Sequence, residues 1–329
     1  MAFGQTASQT AATDNGSGPT EATLAFLNGW SGLGVELTYD CDDRTVTSWW
    51  NHAQRPNMTP EVMRSCDSLY AGLKACSWAG DDWFRFYVMR TKHERIWSYG
   101  GDFSLLLDVI ERKDSATLRK YGEVCIQSIH KVLSGVGDRM ISIAAVDGTC
   151  LGGGLEGALA CDYVVAEKSV KLGLPEANIG MFPGAGAYSM LTRKIGRRET
   201  ERLITAGAYF TGEEAYELGI VDELAEDGEM DKALARLKDT IAPRFNTYLT
   251  TVRARRRVAP IMLEEMQLVI DDWVDAAMNM EPHHLMLMRY LLDKQKANAK
   301  PKAQVESIDG GSMPEQKPNP FRAEQASAG

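Results

Sequence analysis

Two glutamates, Glu156 and Glu176, stand twenty residues apart, each inside a segment of glycines and small apolar residues. Two carboxylates near one another can divide acid–base work, one accepting a proton while the other, protonated, donates. Glu156 lies in ISIAAVDGTCLGGGLEGALACDYVVAE, where an apolar run passes through a turn into three glycines and then a small-residue helix. The N–H groups at such a helix start are unpaired and suit an anion or a developing oxyanion, and glycine permits close approach. The glycines alone fit a tight turn between packed elements equally well. An isolated glutamate is usually a solvated charge. Glu156 has Leu155, Gly157, Ala158 and Leu159 beside it, which points to partial burial and a raised pKa. Glu176 follows a proline in KLGLPEANIGMFPGAGAYS, ahead of a second glycine-bearing loop.

The elements that must position these groups read as an α/β series. VELTYD (35–40) and RTVTSWW (44–50) flank the turn-like CDD as two antiparallel strands, and Thr59 opens a helix in TPEVMRSCDSLYAGLK. DDWFRFYVMR (81–90) reads as a strand. Leu118, Tyr121, Cys125, Ile129 and Val132 recur at spacings of three and four, the mark of a helix with one buried face. MISIAAV (140–146) is a short apolar run, as in a strand covered on both sides. YVVAE, a helix around Gly186 to Lys194, the helices RRETERLITAG and GEEAYELG and the strand IVDEL continue the alternation, and only helical patterns follow residue 229. The expected organisation is a flexible tail over 1–20, a core over 21–228, a helical C-terminal region over 229–297 and a second flexible tail over 298–329, the tails being too poor in large apolar residues to offset the entropy of ordering.

The 329 residues carry a formal net charge of −9 and are 44% hydrophobic, enough for a substantial core and without a global basic field for nucleic acid. Six cysteines with no CxxC pair suggest neither a zinc site nor a disulfide framework, so reduced thiols and no metal are expected. The N-terminal residues lack a basic and an apolar signal region, and no stretch is apolar enough to span a membrane, so a cytoplasmic protein is expected.

DGTCLGGGLEGALACDYVVAE, LGLPEANIGMFPGAG and TGEEAYELGIVDEL, in that order and spacing, resemble the crotonase (enoyl-CoA hydratase) superfamily from about Gly34 to about Leu224. The resemblance implies a spiral of ββα units, usually assembled as homotrimers or hexamers, that binds acyl thioesters and stabilises an enolate without a further cofactor. It implies oxyanion N–H groups at Gly101, which precedes Asp102 in IWSYGGDFSLL, and at Gly153, the middle glycine of the triplet. It also places both hydratase glutamates, at Glu156 and Glu176, which favours hydration or dehydration over isomerisation.

GGDFSLLLDVI, FPGAGAYSMLTRK, RFNTYLTTVRARRRV and IDDWVDAAMNMEPHHLMLMRYLL further resemble the diffusible signal factor synthases, bacterial crotonases that make cis-2-unsaturated acids for cell-to-cell signalling. That resemblance implies dehydration of a 3-hydroxyacyl group on acyl carrier protein, or on CoA, and then thioester hydrolysis. It implies acyl-chain contacts at Trp273, Leu151 and Met181, although Trp273, Ala277 and Met280 also fit one face of a packed helix. The Trp-rich segment with Trp30, Trp49 and Trp50 departs from that group. The arginines of VRARRRV could meet an acidic carrier protein or pantetheine phosphates, a solvated helix face being the commoner explanation, and His283 and His284 read as surface residues. Two further readings are a conventional enoyl-CoA hydratase and a crotonase-fold protein that binds a partner such as a signalling kinase.

Overall fold

A computed structural model describes residues 18–51 and 56–298; nearly all of both expected tails lies outside the described residues. Helix α1 (Glu21–Gly29) precedes the hairpin of β1 (Val35–Asp40) and β2 (Thr45–Trp50). Asp40 closes its turn by accepting the N–H groups of Asp42 and Asp43 at 2.8 and 2.9 Å. Helix α2 (Pro60–Trp78) starts where Thr59 accepts the Val62 N–H and Pro60 takes the first helical position, where its missing donor does no harm.

Three consecutive strand pairs then build the spiral. They are β3 (Phe86–Thr91) with β4 (Ile96–Ser98), β5 (Ile141–Val146) with β6 (Thr149–Leu151), and β7 (Tyr163–Glu167) with β8 (Lys171–Gly173). Helices α3 (Phe103–Glu111) and α4 (Ser115–Leu133) follow the first pair, and α5 (Gly153–Leu159) follows the second. A 3-10 turn (Pro175–Ile179), α6 (Ala187–Ile195) and α7 (Arg197–Ala206) follow the third. The first strands of the pairs lie parallel as neighbours in one sheet and the second strands in another, so each unit repeats the last one step along. With β9 (Tyr209–Thr211), α8 (Gly212–Glu217) and β10 (Glu223–Ala225) the sheets are complete, in orders β1-β2-β3-β5-β7-β10 and β4-β6-β8-β9. Strand β5 is buried at every residue, as its unbroken apolar run requires, whereas β1, at the sheet edge, is largely open.

Four helices close the described chain: α9 (Met230–Ile241), α10 (Phe245–Val258), α11 (Leu263–Met278) and α12 (Pro282–Asn298). All five apolar residues of the helical pattern in α4 are buried. Among the described residues no helix is long and apolar enough to cross a membrane, and no cluster of three His, Cys, Asp or Glu could hold a metal ion.

Two strand expectations are shortened. The strand expected over 81–90 begins only at Phe86, because Asp81 accepts the Trp83 N–H and turns the chain first. IVDEL becomes a strand only from Glu223, since the N–H groups of Ile220 and Val221 bond back to the Ala215 carbonyl.

The arginines of α10 divide: Arg257 is exposed, as on a solvated face, whereas Arg253, Arg255 and Arg256 bond to the protein itself. Arg255 and Arg256 reach Asp162 at 3.1 and 2.6 Å, and Arg253 donates to the Asp138 carbonyl at 3.0 Å. Asp162, with a side chain only 4% exposed, also accepts the backbone N–H and the hydroxyl of Ser142, both at 2.9 Å. The arginines therefore dock α10 against β5. Removing a buried carboxylate strands its partners, so Asp162→Ala should lower stability by about 3–5 kcal/mol, whereas Arg255→Ala, at a half-exposed side chain, should lose about 1 kcal/mol or less. Urea unfolding of the two variants checks this, and equal losses would contradict it.

Candidate active site

Each peptide of the loop after β4 is held in place. The chain has no cis peptide among the described residues, so a carbonyl and the N–H of the same peptide point oppositely. The Gly100 carbonyl accepts the Met58 N–H at 2.7 Å, which directs the Gly101 N–H the other way, toward the start of α5. Gly153 is the first residue of α5, a position for which a helix offers no carbonyl four residues back. A side-chain carbon on Gly153 would stand 3.6 Å from the Gly101 nitrogen, so the two N–H groups are neighbours. The Asp102 N–H donates to the Tyr121 hydroxyl at 3.0 Å, and that hydroxyl donates to the Met58 carbonyl at 2.7 Å.

Glu156 sits one turn further along α5 and is 2% exposed. Its Oε1 accepts the N–H groups of Ala185 and Ala187 at 2.8 and 2.9 Å, from the glycine loop and the first turn of α6. Burial pushes its pKa from the ordinary 4.5 up to about 7, the two N–H groups opposing part of that rise. Glu176, in the 3-10 turn, has its pKa raised first by burial and then by the charge of Glu156. Its residue keeps some surface open to the cavity, but Oε2 is sealed and has no hydrogen-bond partner among the described residues. Gly152 lets the two acids approach. Its φ of +53° with ψ −129° suits glycine, and a Cβ there would lie 2.5 Å from Glu176 Oε1.

These groups open onto an apolar cavity enclosing about 590 Å³ of free space, including its mouth. Gly101, Gly153, Glu156, Glu176, Met181 and Trp273 all line it. Leu151 does not: Cys150 beside it on β6 points into the core, and alternation turns Leu151 to the other face. Trp273 and Ile270 of α11 and Met288 of α12 close one wall, and a Cβ on Gly184 would meet the Trp273 indole at 2.7 Å. Trp273 is therefore both a packed helix residue and a cavity wall. Cys125 also lines the cavity, with its thiol pushed up to about 12 by burial and so unreactive as a nucleophile.

Several groups that shape the site carry no signature in the sequence. Tyr121 shows in the sequence only as one buried position of a helix, and nothing there marks Asn57 or the N–H groups of Ala185 and Ala187. His283 is exposed and His284 half-buried, the latter against Gly180.

A spiral of ββα units carrying paired carboxylates beside two neighbouring backbone N–H groups defines a crotonase-type protein. The enoyl-CoA hydratase/isomerase family matches residues 69–268, and the chain belongs to that family. It is 36% identical over 145 residues to a Bacillus subtilis protein described as "Probable enoyl-CoA hydratase", covering 43% of this chain and 54% of that one. It is 39% identical over 103 residues to an enoyl-CoA isomerase/hydratase of Mycosarcoma maydis, covering 31% and 38%. These matches therefore span about half or less of the curated relatives' length. The structure of Pseudomonas aeruginosa DspI superposes with a TM-score of 0.59 at 25% identity, covering 72% of this chain and 88% of that one. Human mitochondrial delta3-delta2-enoyl-CoA isomerase, with a TM-score of 0.67 at 18% identity over 81% of this chain and 99% of its own, shares the fold.

Because Glu156 and Glu176 bind protons more tightly folded than unfolded, the folded protein takes up protons as pH falls from about 8 toward 4.5, and stability should decline as pH rises through that window. The double variant Glu156→Gln, Glu176→Gln should lose this decline and be the more stable protein at pH 8, by on the order of 2–4 kcal/mol. Denaturant unfolding of both proteins at pH 5 and pH 8 measures it; a double variant less stable at pH 8 would refute the burial argument.

Proposed function

We propose that the protein dehydrates 3-hydroxyacyl thioesters carried on acyl carrier protein or CoA and releases the 2-unsaturated acid, with Glu156 and Glu176 as the catalytic pair. The observation that carries the first step is that buried Glu156 and half-buried Glu176 both line the cavity beside the Gly101 and Gly153 N–H groups. Proton removal from C2 of a thioester builds charge on the carbonyl oxygen, and preorganised N–H donors stabilise it by several kcal/mol.

The surroundings assign resting protonation states. Glu156 has two N–H groups favouring its anion, whereas Glu176 has an unpartnered oxygen and faces the charge of Glu156. Ionised Glu156 then takes a proton from water while neutral Glu176 delivers one to C2, the hydration direction; dehydration reverses both transfers and begins from the other placement of the pair's single proton, on Glu156 with Glu176 ionised. The pair titrates together, so its two apparent pKa values belong to the site.

Release of the acid uses the same donors. A glutamate carboxylate takes a proton from water as its oxygen adds to the thioester carbonyl, Gly101 and Gly153 hold the tetrahedral oxyanion, and collapse breaks the C–S bond and returns that proton to the departing thiol, leaving the acid. The resemblance to the signal factor synthases supports this step. The likeness to enoyl-CoA hydratases supports a second reading, in which reaction stops at the thioester. The proposal includes a cytoplasmic location and assembly as trimers or hexamers, as the resemblance implies. A role in binding a partner such as a signalling kinase would be additional to catalysis.

Mass spectrometry of products from 3-hydroxyacyl-acyl carrier protein, with the CoA thioester in parallel, is the test. Free 2-unsaturated acid is the expected product, and interconversion confined to the CoA thioester would replace the proposal with the hydratase reading. The dehydration or hydration rate should fall both below and above an optimum near neutrality, as the base is protonated or the acid ionised. Glu156→Gln and Glu176→Gln should each lower kcat by about 10²- to 10⁴-fold, and unchanged turnover in both would sink the mechanism.

A further inference from the structure

Gly101 has no Cβ to restrict rotation about its backbone bonds, so the direction of its N–H depends on what holds the peptides on either side. Met58 holds the preceding peptide, as described above. The following peptide is held at both ends, its N–H by the Tyr121 hydroxyl and its carbonyl by the side-chain amide of Asn57, whose Nδ2 donates at 3.0 Å. Asn57 is 4% exposed, and the same Nδ2 donates to Gln295 Oε1 of α12 at 3.2 Å. An amide is planar and presents its hydrogens at a fixed angle, so Gln295 sets how Asn57 meets Gly101. Turned over, Asn57 would aim its own oxygen at the Gly101 carbonyl, which is repulsive. Helix α12 reaches the site at one further point, Met288, which lines the cavity, and Arg289 ties the helix to Glu111 at the far end of α3.

We infer that Asn57 is a positioning residue for the oxyanion N–H of Gly101, and that α12 governs it through Gln295, so that the docked helix sets how strongly the site polarises a bound thioester. This rests on the oxyanion role proposed above for Gly101. The two predictions separate by a spectroscopic measurement on the full chain with cinnamoyl-CoA, a conjugated thioester whose carbonyl stretch falls in frequency when hydrogen bonds polarise it. The wild type should lower that frequency by infrared difference. Asn57→Ala and Gln295→Leu should recover part of it toward the free value and reduce kcat by about tenfold, with KM within about twofold. Gln295→Glu, which keeps an acceptor for Nδ2, should behave as wild type. Gln295 is half-buried on a surface helix, so its variants test the inference even where Asn57→Ala folds poorly. A normal wild-type shift retained by both Asn57→Ala and Gln295→Leu would overturn this inference alone. No shift in the wild type would overturn the oxyanion reading and this inference with it.

Discussion

Two carboxylates held away from water, close enough for the charge of one to oppose ionisation of the other, are the constraint to which the rest of this structure answers. A flexible chain would relieve it by letting one acid swing into solvent. Here the scaffold prevents that. Glu156 is carried on a helix that starts directly after β6, beside the fully buried β5, and its carboxylate is gripped by two N–H groups of another segment. Glu176 is pressed against Gly152 from the other side. The result is an asymmetric pair, one acid with fixed partners and one with an oxygen left unpartnered, and that asymmetry gives two chemically identical side chains different surroundings.

The same economy of backbone contacts explains how much of the site was legible in the sequence. Glu156 stood out because its neighbours are small and apolar, and Gly152 to Gly154 because three glycines need a reason. The run of β5 and the Thr59 cap are local signals, written within a few residues, and both correspond to observed elements. What could not be read is made across long separations by groups every residue carries. The N–H of Ala185 is indistinguishable in sequence from any other, and its meaning comes only from the carboxylate 29 positions earlier. Asn57 and Gln295 lie 238 residues apart.

Charge and strand parity misled for equally physical reasons. The arginines of α10 look like a solvated or partner-facing run because the carboxylate that Arg255 and Arg256 reach, Asp162, lies 94 residues before Arg256. Leu151 adjoins the glycine triplet in sequence, but a strand sends neighbouring side chains to opposite faces, so nearness along the chain does not bring it to the cavity.

Chemistry and substrate fit come from different parts of the chain. The donors and acids lie between Gly101 and Glu176, whereas Ile270, Trp273 and Met288 of the C-terminal helices supply apolar wall. A simple division would let the wall change to suit a different acyl chain while leaving the reaction untouched. The packing argues otherwise. The Trp273 indole lies against Gly184, and the next residue, Ala185, donates the N–H that stabilises ionised Glu156. A smaller residue at 273 enlarges the cavity and also frees the loop that holds the carboxylate. Cavity shape and acid–base strength are thus joined through one glycine, and a change in the first alters the second.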